Sequence, residues 1–211
     1  MNAVPSPSLL KKLPAPAAIQ QLHHYAYKAR DAEETRHFYE DILGLPLYHI
    51  IQSDYVPSTG EYCPYTHFFF RLQDGSFIAF FDIGDDEKPL PSPNTPLWVN
   101  HIAFRVDTVQ DLEVTKARLQ AHGIEVLGIT DHHIFKSIYF FDPNGIRLEL
   151  SAQLAGEALM ARESRSAHAR LAEWTERKQQ WRKERAAGSN VVPLKPQAND
   201  RPEFVPPSTK G

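Results

Sequence analysis

The sequence predicts an α+β fold made of two tandem βαβββ modules whose mixed sheets form a cup. The order strand, helix, strand, strand, strand occurs twice within residues 22–151. The two leading strands also share the pattern His-x-Ala-aromatic, which begins at His24 and again at His101, 77 residues later. A repeated order of this kind indicates an internal duplication. A helix on one face of mainly antiparallel strands is typical of an α+β fold.

Composition divides the 211-residue chain into four parts. Both ends are rich in proline, which predicts a surface arm at the N-terminus and a disordered tail at the C-terminus. The segment before the tail is rich in Ala, Glu, Arg and Lys, and its tryptophans follow helical spacing, which predicts one long helix. The predicted parts are an arm at 1–21, a domain at 22–151 with modules at about 22–84 and 99–151, a helix at 152–187 and a tail at 188–211.

The first module begins with a strand, which alternating apolar and polar residues predict at 22–29. Asp31 is a favourable N-cap and Gly44 a favourable C-cap, so they bound a predicted helix at 31–43. Runs of β-branched and aromatic residues then predict three further strands. These strands are expected at 48–52, 67–72 and 76–82.

The second module repeats this order with a strand at 99–106 and a helix at 108–122, which ends at Gly123. Three further strands complete the module. The segments between elements at 54–65 and 88–97 are predicted to be loops that determine specificity. The remaining strands are expected at 125–129, 134–141 and 146–151.

Charge and cysteine content exclude several classes of function. The net charge of −3 gives no general attraction to nucleic acid or to an anionic membrane. Cys63 is the single cysteine, which excludes an intrachain disulfide and a zinc site built from several cysteines. The sequence contains neither a signal-peptide pattern nor an apolar stretch of about 18 residues. These features predict a soluble, cytoplasmic protein.

Side chains alternate between the two faces of a strand, so residue parity predicts which of them face the interior of the cup. His24, His101 and Glu149 all lie opposite the apolar set of their own strand. Two imidazoles and one carboxylate from different strands are the ligand set of a non-haem Fe(II) site with open positions. Each residue taken alone has a plainer alternative as a core histidine or a surface carboxylate.

Two segments within residues 22–151 carry a family resemblance: Phe38-Tyr39-Glu40-Asp41-Ile42-Leu43-Gly44-Leu45 and Asp142-Pro143-Asn144-Gly145. They resemble the helix-end and last-turn motifs of the vicinal-oxygen-chelate superfamily, which includes glyoxalases, bleomycin-resistance proteins and extradiol dioxygenases. A more selective pattern joins Thr130-x-His132 and Ile138-Tyr139 to the last-turn segment and Glu149. This pattern is similar to that of the one-domain extradiol dioxygenases.

The resemblance implies roles for six residues. His24, His101 and Glu149 would hold Fe(2+), with Mn, Ni, Co or Zn as alternatives. His132 and Tyr139 would hydrogen-bond the substrate oxygens, and His133 is an alternative to His132. The acid/base group would be His67.

The implied function is ring cleavage of a catechol-like vicinal diol by O2, in aromatic compound catabolism and in a homodimer or higher homo-oligomer. Glyoxalase I-like members typically take a fourth ligand from a position that is Ala79 or Phe80 here, and neither can bind a metal ion. Two alternatives remain: a metal-dependent isomerase, epimerase or lyase, and a non-catalytic small-molecule-binding protein of the bleomycin-resistance type. Arg105 and Arg147 share the cup-facing parity and are expected either to meet a substrate carboxylate or to form ion pairs at the rim.

Overall fold

The computed structural model describes residues 17–187, so the predicted tail and most of the predicted arm lie outside the described residues. Two βαβββ modules are present, which confirms the predicted fold class. A long helix follows them within the segment where a helix was predicted. The elements are β1 (His24–Lys28), α1 (Ala32–Arg36), β2 (Leu47–Tyr55), β3 (Tyr62–Arg71), β4 (Phe77–Asp82), β5 (Ile102–Val106), α2 (Val109–Ala121), β6 (Leu127–Asp131), β7 (Phe135–Phe141), β8 (Arg147–Gln153) and α3 (Glu157–Ala186).

The helices of the two modules begin at the residues that the sequence indicates. Asp31 caps α1, and its Oδ1 accepts a hydrogen bond from the Glu34 amide at 2.7 Å. Thr108 caps α2 through a capping box with Asp111, in which each side chain bonds the backbone amide of the other. The helix predicted at 31–43 is present, and α1 continues as a π-helical segment at His37–Ile42.

The predicted loop at 54–65 is wrong in extent. Strand β2 runs to Tyr55 and β3 already starts at Tyr62, so the connection is a short hairpin. Cys63 therefore lies in a strand. Pro57 and Gly60 are residues that favour turns. They led to the prediction of a long loop, which wrongly included the ends of both neighbouring strands.

Each module forms its own four-stranded sheet, with strand orders β1-β4-β3-β2 and β5-β8-β7-β6. In both sheets the leading strand pairs in parallel with the last strand. Ala26 lies beside Ala79 in the first sheet, and Ala103 lies beside Glu149 in the second. Since His24 and His101 each precede the paired alanine by two residues, the position equivalent to Glu149 is Ala79 and not Phe80.

One hydrophobic core joins the two modules. It contains Phe70 and Phe80 from the first sheet and Ile138 and Leu148 from the second. These side chains alternate with those that parity assigned to the cup. The cup-facing side of each sheet therefore points away from the shared core. No strand of one module pairs with a strand of the other within residues 17–187.

Buried polar contacts hold α1 against the last turn of the second module. Tyr39 Oη donates to Asp142 Oδ2 at 3.0 Å, and both residues are fully buried. Asn144 Oδ1 accepts from the Arg30 amide at 2.9 Å, and its Nδ2 donates to Thr35 Oγ1 at 3.1 Å. The last-turn motif that suggested the family thus fixes the joint between the modules.

Helix α3 has no buried residue and carries the half-exposed Trp174. No helix within residues 17–187 has the length and hydropathy needed to cross a membrane.

Candidate metal centre

His101 and Glu149 form a close pair on the second sheet, with Nε2 of the imidazole 2.9 Å from Oε2 of the carboxylate. The other ring nitrogen, Nδ1, donates to the carbonyl oxygen of Val99 at 3.0 Å. In a neutral imidazole this leaves a lone pair on Nε2, facing a carboxylate oxygen. Two lone pairs at that separation repel each other unless a cation binds to both. The donor set and its spacing therefore fit a shared divalent ion as well as a proton.

Three hydroxyl groups bind the other oxygen of this carboxylate. Glu149 Oε1 accepts hydrogen bonds from Ser137 at 2.5 Å, Ser151 at 2.8 Å and Tyr139 at 3.1 Å. Burial raises the pKa of Glu149, but these hydrogen bonds and the nearby His101 outweigh it, so the pKa lies below its usual value. The carboxylate is therefore ionised and held with Oε2 directed at His101.

Sequence reasoning missed Ser137 and Ser151. The signal was present, because each serine is two residues from a residue already assigned to the cup-facing side, namely Tyr139 and Glu149. Serine is common in strands for other reasons, so parity alone gave no cause to select these two.

His132 lies against Tyr139, with Nε2 2.7 Å from Oη. The phenol has one proton and donates it to Glu149, so His132 Nε2–H is the donor in this second hydrogen bond. His133 adopts a left-handed conformation with φ of 67°, and its amide donates to Asp131 Oδ1 at 2.7 Å. The structure thus places His132 rather than His133 in contact with Tyr139.

His24 and His67 lie together on the first sheet, with ring centroids 5.9 Å apart. Nδ1 of His24 is 2.8 Å from Nδ1 of His23. His67 is buried, donates from Nδ1 to the Phe80 carbonyl at 2.9 Å and stacks on Phe81 at 3.7 Å. Burial lowers the pKa of His67, so at neutral pH its ring is uncharged and Nε2 can accept a proton.

The six predicted site residues therefore form two groups. His101, Glu149, Tyr139 and His132 are connected on the second sheet, whereas His24 and His67 share the first. Within residues 17–187 no three His, Cys, Asp or Glu side chains are close enough together to hold a metal ion. Among the described residues, a single chain thus brings two of the three predicted metal ligands together, and His24 is not close to them.

Residues 21–150 match the family described as the Glyoxalase/Bleomycin resistance protein/Dioxygenase superfamily, and the chain belongs to this family. The predicted superfamily is confirmed. A solved structure of a glyoxylase/bleomycin resistance protein/dioxygenase domain from Frankia sp. EAN1pec has the same fold, with a TM-score of 0.52 and 17% identity. That alignment covers 65% of this chain and all of the Frankia domain.

Two curated relatives indicate different chemistries within the family. Metallothiol transferase FosB of Staphylococcus saprophyticus is 27% identical over 160 residues, which are 75% of this chain and 93% of FosB. MhqA of Bacillus subtilis, named for ring-cleaving dioxygenase activity, is 38% identical over 58 residues. That segment is 28% of this chain and 18% of MhqA, so it represents a small part of the relative.

Proposed function

We propose that this protein is an Fe(II)-dependent extradiol dioxygenase that cleaves a catechol-like vicinal diol with O2. The observation that carries the proposal is the hydrogen-bonded series His132–Tyr139–Glu149–His101 on one face of the second sheet. It joins two metal-ligand groups to hydrogen-bonding groups beside them. The short segment shared with MhqA adds support. A cytoplasmic location and a homodimer are part of the proposal.

The third ligand of the proposed site is His24 of a second copy. No described residue hydrogen-bonds Nε2 of His24, and the side chain is exposed on edge strand β1. Strand β5 is likewise an edge, and His101 beside it is exposed. In a two-fold dimer each copy gives and receives the same contact, so two equivalent sites arise from one interface. His67 then enters the site together with His24.

Fe(II) supplies Lewis acidity when bound, which favours the deprotonated form of a chelated diol at neutral pH. Nε2 of His67 is available as a base for a diol proton, because Nδ1 is committed to the Phe80 carbonyl. Tyr139 Oη can accept a hydrogen bond from a diol hydroxyl and would orient it, and His132 would hold the phenol in place through its own hydrogen bond. Both atoms of O2 end in the product, in which the carbon–carbon bond beside the diol is broken to a semialdehyde and a carboxylate.

Oxygen uptake by anaerobically Fe(II)-loaded protein tests this proposal on a panel of catechols. We expect one O2 consumed per diol and the absorbance of a ring-opened semialdehyde. The Glu149→Gln variant is expected to show neither. Absence of uptake with every vicinal diol would remove the dioxygenase assignment.

A second candidate is metal-dependent transfer of a thiol to an electrophilic small molecule on the same residues. It is favoured by the similarity to FosB, which extends over 93% of that relative. Loss of free thiol without oxygen uptake would select this activity. Isomerisation of a substrate without loss of thiol and without oxygen uptake would select the glyoxalase-like class. Tight ligand binding without turnover would select a binding protein.

A further inference from the structure

Arg147 lies on the same face of the second sheet as the metal-ligand pair. It precedes Glu149 by two residues in β8, and the register of β5 with β8, extended by one residue, puts His101 beside it. The Cζ atom of its guanidinium is 4.4 Å from the ring centroid of Tyr139. A fixed positive charge therefore borders the residues proposed to hold the metal ion and orient the substrate.

This guanidinium has no anionic partner in the part of the chain that the structure describes. No Asp or Glu among residues 17–187 forms an ion pair with Arg147. Its hydrogen bond is a long one, from Nη1 to the Leu97 carbonyl at 3.5 Å. Of the two roles expected from the sequence, the rim ion pair is not formed, and N–H donors of the half-exposed side chain remain available.

We propose that Arg147 binds an anionic group of the substrate, a carboxylate or a phosphate-type oxyanion, beside the metal centre. The inference rests on the proposed function of the same site and narrows its substrates to diols that carry a second, anionic group. The planar guanidinium matches such a group with two parallel hydrogen bonds. Stacking on Tyr139 holds that plane in place, so little side-chain freedom is lost when the anion binds.

Charge also favours an anionic substrate. A divalent ion and Arg147 together carry more positive charge than the single carboxylate of Glu149 cancels. Clefts with a net charge raise the local concentration of oppositely charged ligands. The alternative is a purely structural arginine that holds the segment before β5 through Leu97.

Binding of small anions to the metal-free protein separates these roles without any turnover. We expect benzoate to shift the side-chain Nε–Hε resonance of Arg147 in the NMR spectrum, and the neutral isostere benzamide to leave it in place. Inorganic phosphate in a parallel titration distinguishes a carboxylate site from a phosphate site. Equal shifts with benzoate and benzamide, or no shift with either anion, would overturn the proposal.

Steady-state kinetics with Fe(II)-loaded protein give the second measurement, with 3,4-dihydroxybenzoate compared against its neutral amide. Arg147→Gln is expected to raise KM for the acid by about 10- to 100-fold, the range for hydrogen bonds to charged groups. The kcat for the acid and the KM for the amide should stay unchanged. Arg147→Lys retains the charge but lacks the planar guanidinium. Its KM for the acid should therefore lie between those of the wild type and Arg147→Gln. The matched control is Arg105→Gln, an exposed arginine on the same face without a carboxylate partner within residues 17–187.

The dioxygenase proposal and the anion-site proposal can be rejected independently of each other. Without oxygen uptake from any diol the proposed function is lost, yet the benzoate titration still reports on Arg147. Uptake with equal KM for acid and amide, unchanged by Arg147→Gln, keeps the dioxygenase and removes the anion site.

Discussion

The two modules share one fold but differ in the chemistry of their cup-facing sides. Ala79 in β4 occupies the position that Glu149 has in β8. Phe69 lies opposite Ala79, whereas Tyr139 lies opposite Glu149. The duplicated scaffold thus places a histidine in each half and a carboxylate with its hydroxyl donors in one half alone. Neither half alone carries the three ligands of the proposed metal site, so the proposal requires both halves.

The turns before the last strands differ in the same way. In the first module Leu72 N donates to the Ser76 carbonyl, and in the second Asp142 N donates to the Ile146 carbonyl. The backbone geometry is shared, but an apolar residue stands where the second module has a buried carboxyl. Asp142 uses that carboxyl to bind Tyr39 of the other module. The second half therefore carries both the polar site and the polar joint.

Removal of the Glu149 carboxylate is expected to have the largest effect on metal binding. Glu149→Gln keeps the shape of the side chain but removes its charge, so binding of Mn(II) or Fe(II) should be lost in calorimetry. Glu113→Gln on the exposed side of α2 is the control and should bind like the wild type. Wild-type affinity in the Glu149→Gln variant would mean that the carboxylate of Glu149 is not a metal ligand.

Mixing two inactive variants tests whether the halves combine across copies. His24→Ala and Glu149→Gln each disable every site in their own homodimer. In a mixed dimer one site contains both changes and the other contains neither, so random exchange should restore about a quarter of the wild-type metal binding. Each variant incubated alone is the control. No recovery after exchange, shown by mass spectrometry of tagged chains, would place all three ligands in one copy.

Residue parity explains how much of this site could be predicted. It put His101 and Glu149 on one face, and the structure places them 2.9 Å apart. Parity sorts side chains within a sheet but contains no information on how two sheets are turned relative to each other. That orientation depends on contacts between distant residues such as Tyr39 and Asp142, whose pairing no local pattern reveals. Parity therefore placed His24 on the cup-facing side of its own sheet. It could not predict where His24 lies relative to His101 and Glu149.

The joint between the modules should show a distinctive pH dependence. Burial raises the pKa of Asp142 to about 6, and hydrogen bonds from Ile146, Tyr39 and Asn144 only partly oppose it. The folded state therefore keeps a proton that the unfolded state has already lost. This favourable contribution is present below pH 4 and is lost as the pH rises through 6. In urea unfolding, the stability of the wild type relative to Asp142→Asn should fall by up to about 3 kcal/mol between pH 4 and 7.

The equivalent turn of the first module provides the control for this prediction. Hydrogen bonds from Ser76 lower the pKa of the exposed Asp74. Its contribution is therefore present above pH 4 and lost as the pH falls, the opposite sign to Asp142. The effect of Asp74→Asn should be small because solvent screens an exposed group. Equal pH profiles for Asp142→Asn and the wild type would contradict the buried, protonated carboxyl.

The smallest expected effect concerns the hydroxyl groups that bind Glu149. Ser151 faces Ser137 across the strands at the positions where the first module stacks His67 on Phe81. Ser151→Ala removes one of three donors to Oε1, so metal affinity should fall by about 10-fold, as for other residues that orient a ligand. Ser151→Thr retains the hydroxyl and should restore the affinity.

The control for this change is Ser76→Ala, which removes a buried serine that bonds Asp74 instead of Glu149. It should leave metal affinity unchanged. The double variant Ser137→Ala, Ser151→Ala leaves Tyr139 as the last hydroxyl donor to Oε1, so it should bind metal more weakly than either single variant. If the double variant binds Mn(II) like the wild type and gives the same Mn(II) EPR spectrum, the hydroxyl groups do not orient the carboxylate. The polarity of the second half would then serve its folding rather than its metal site.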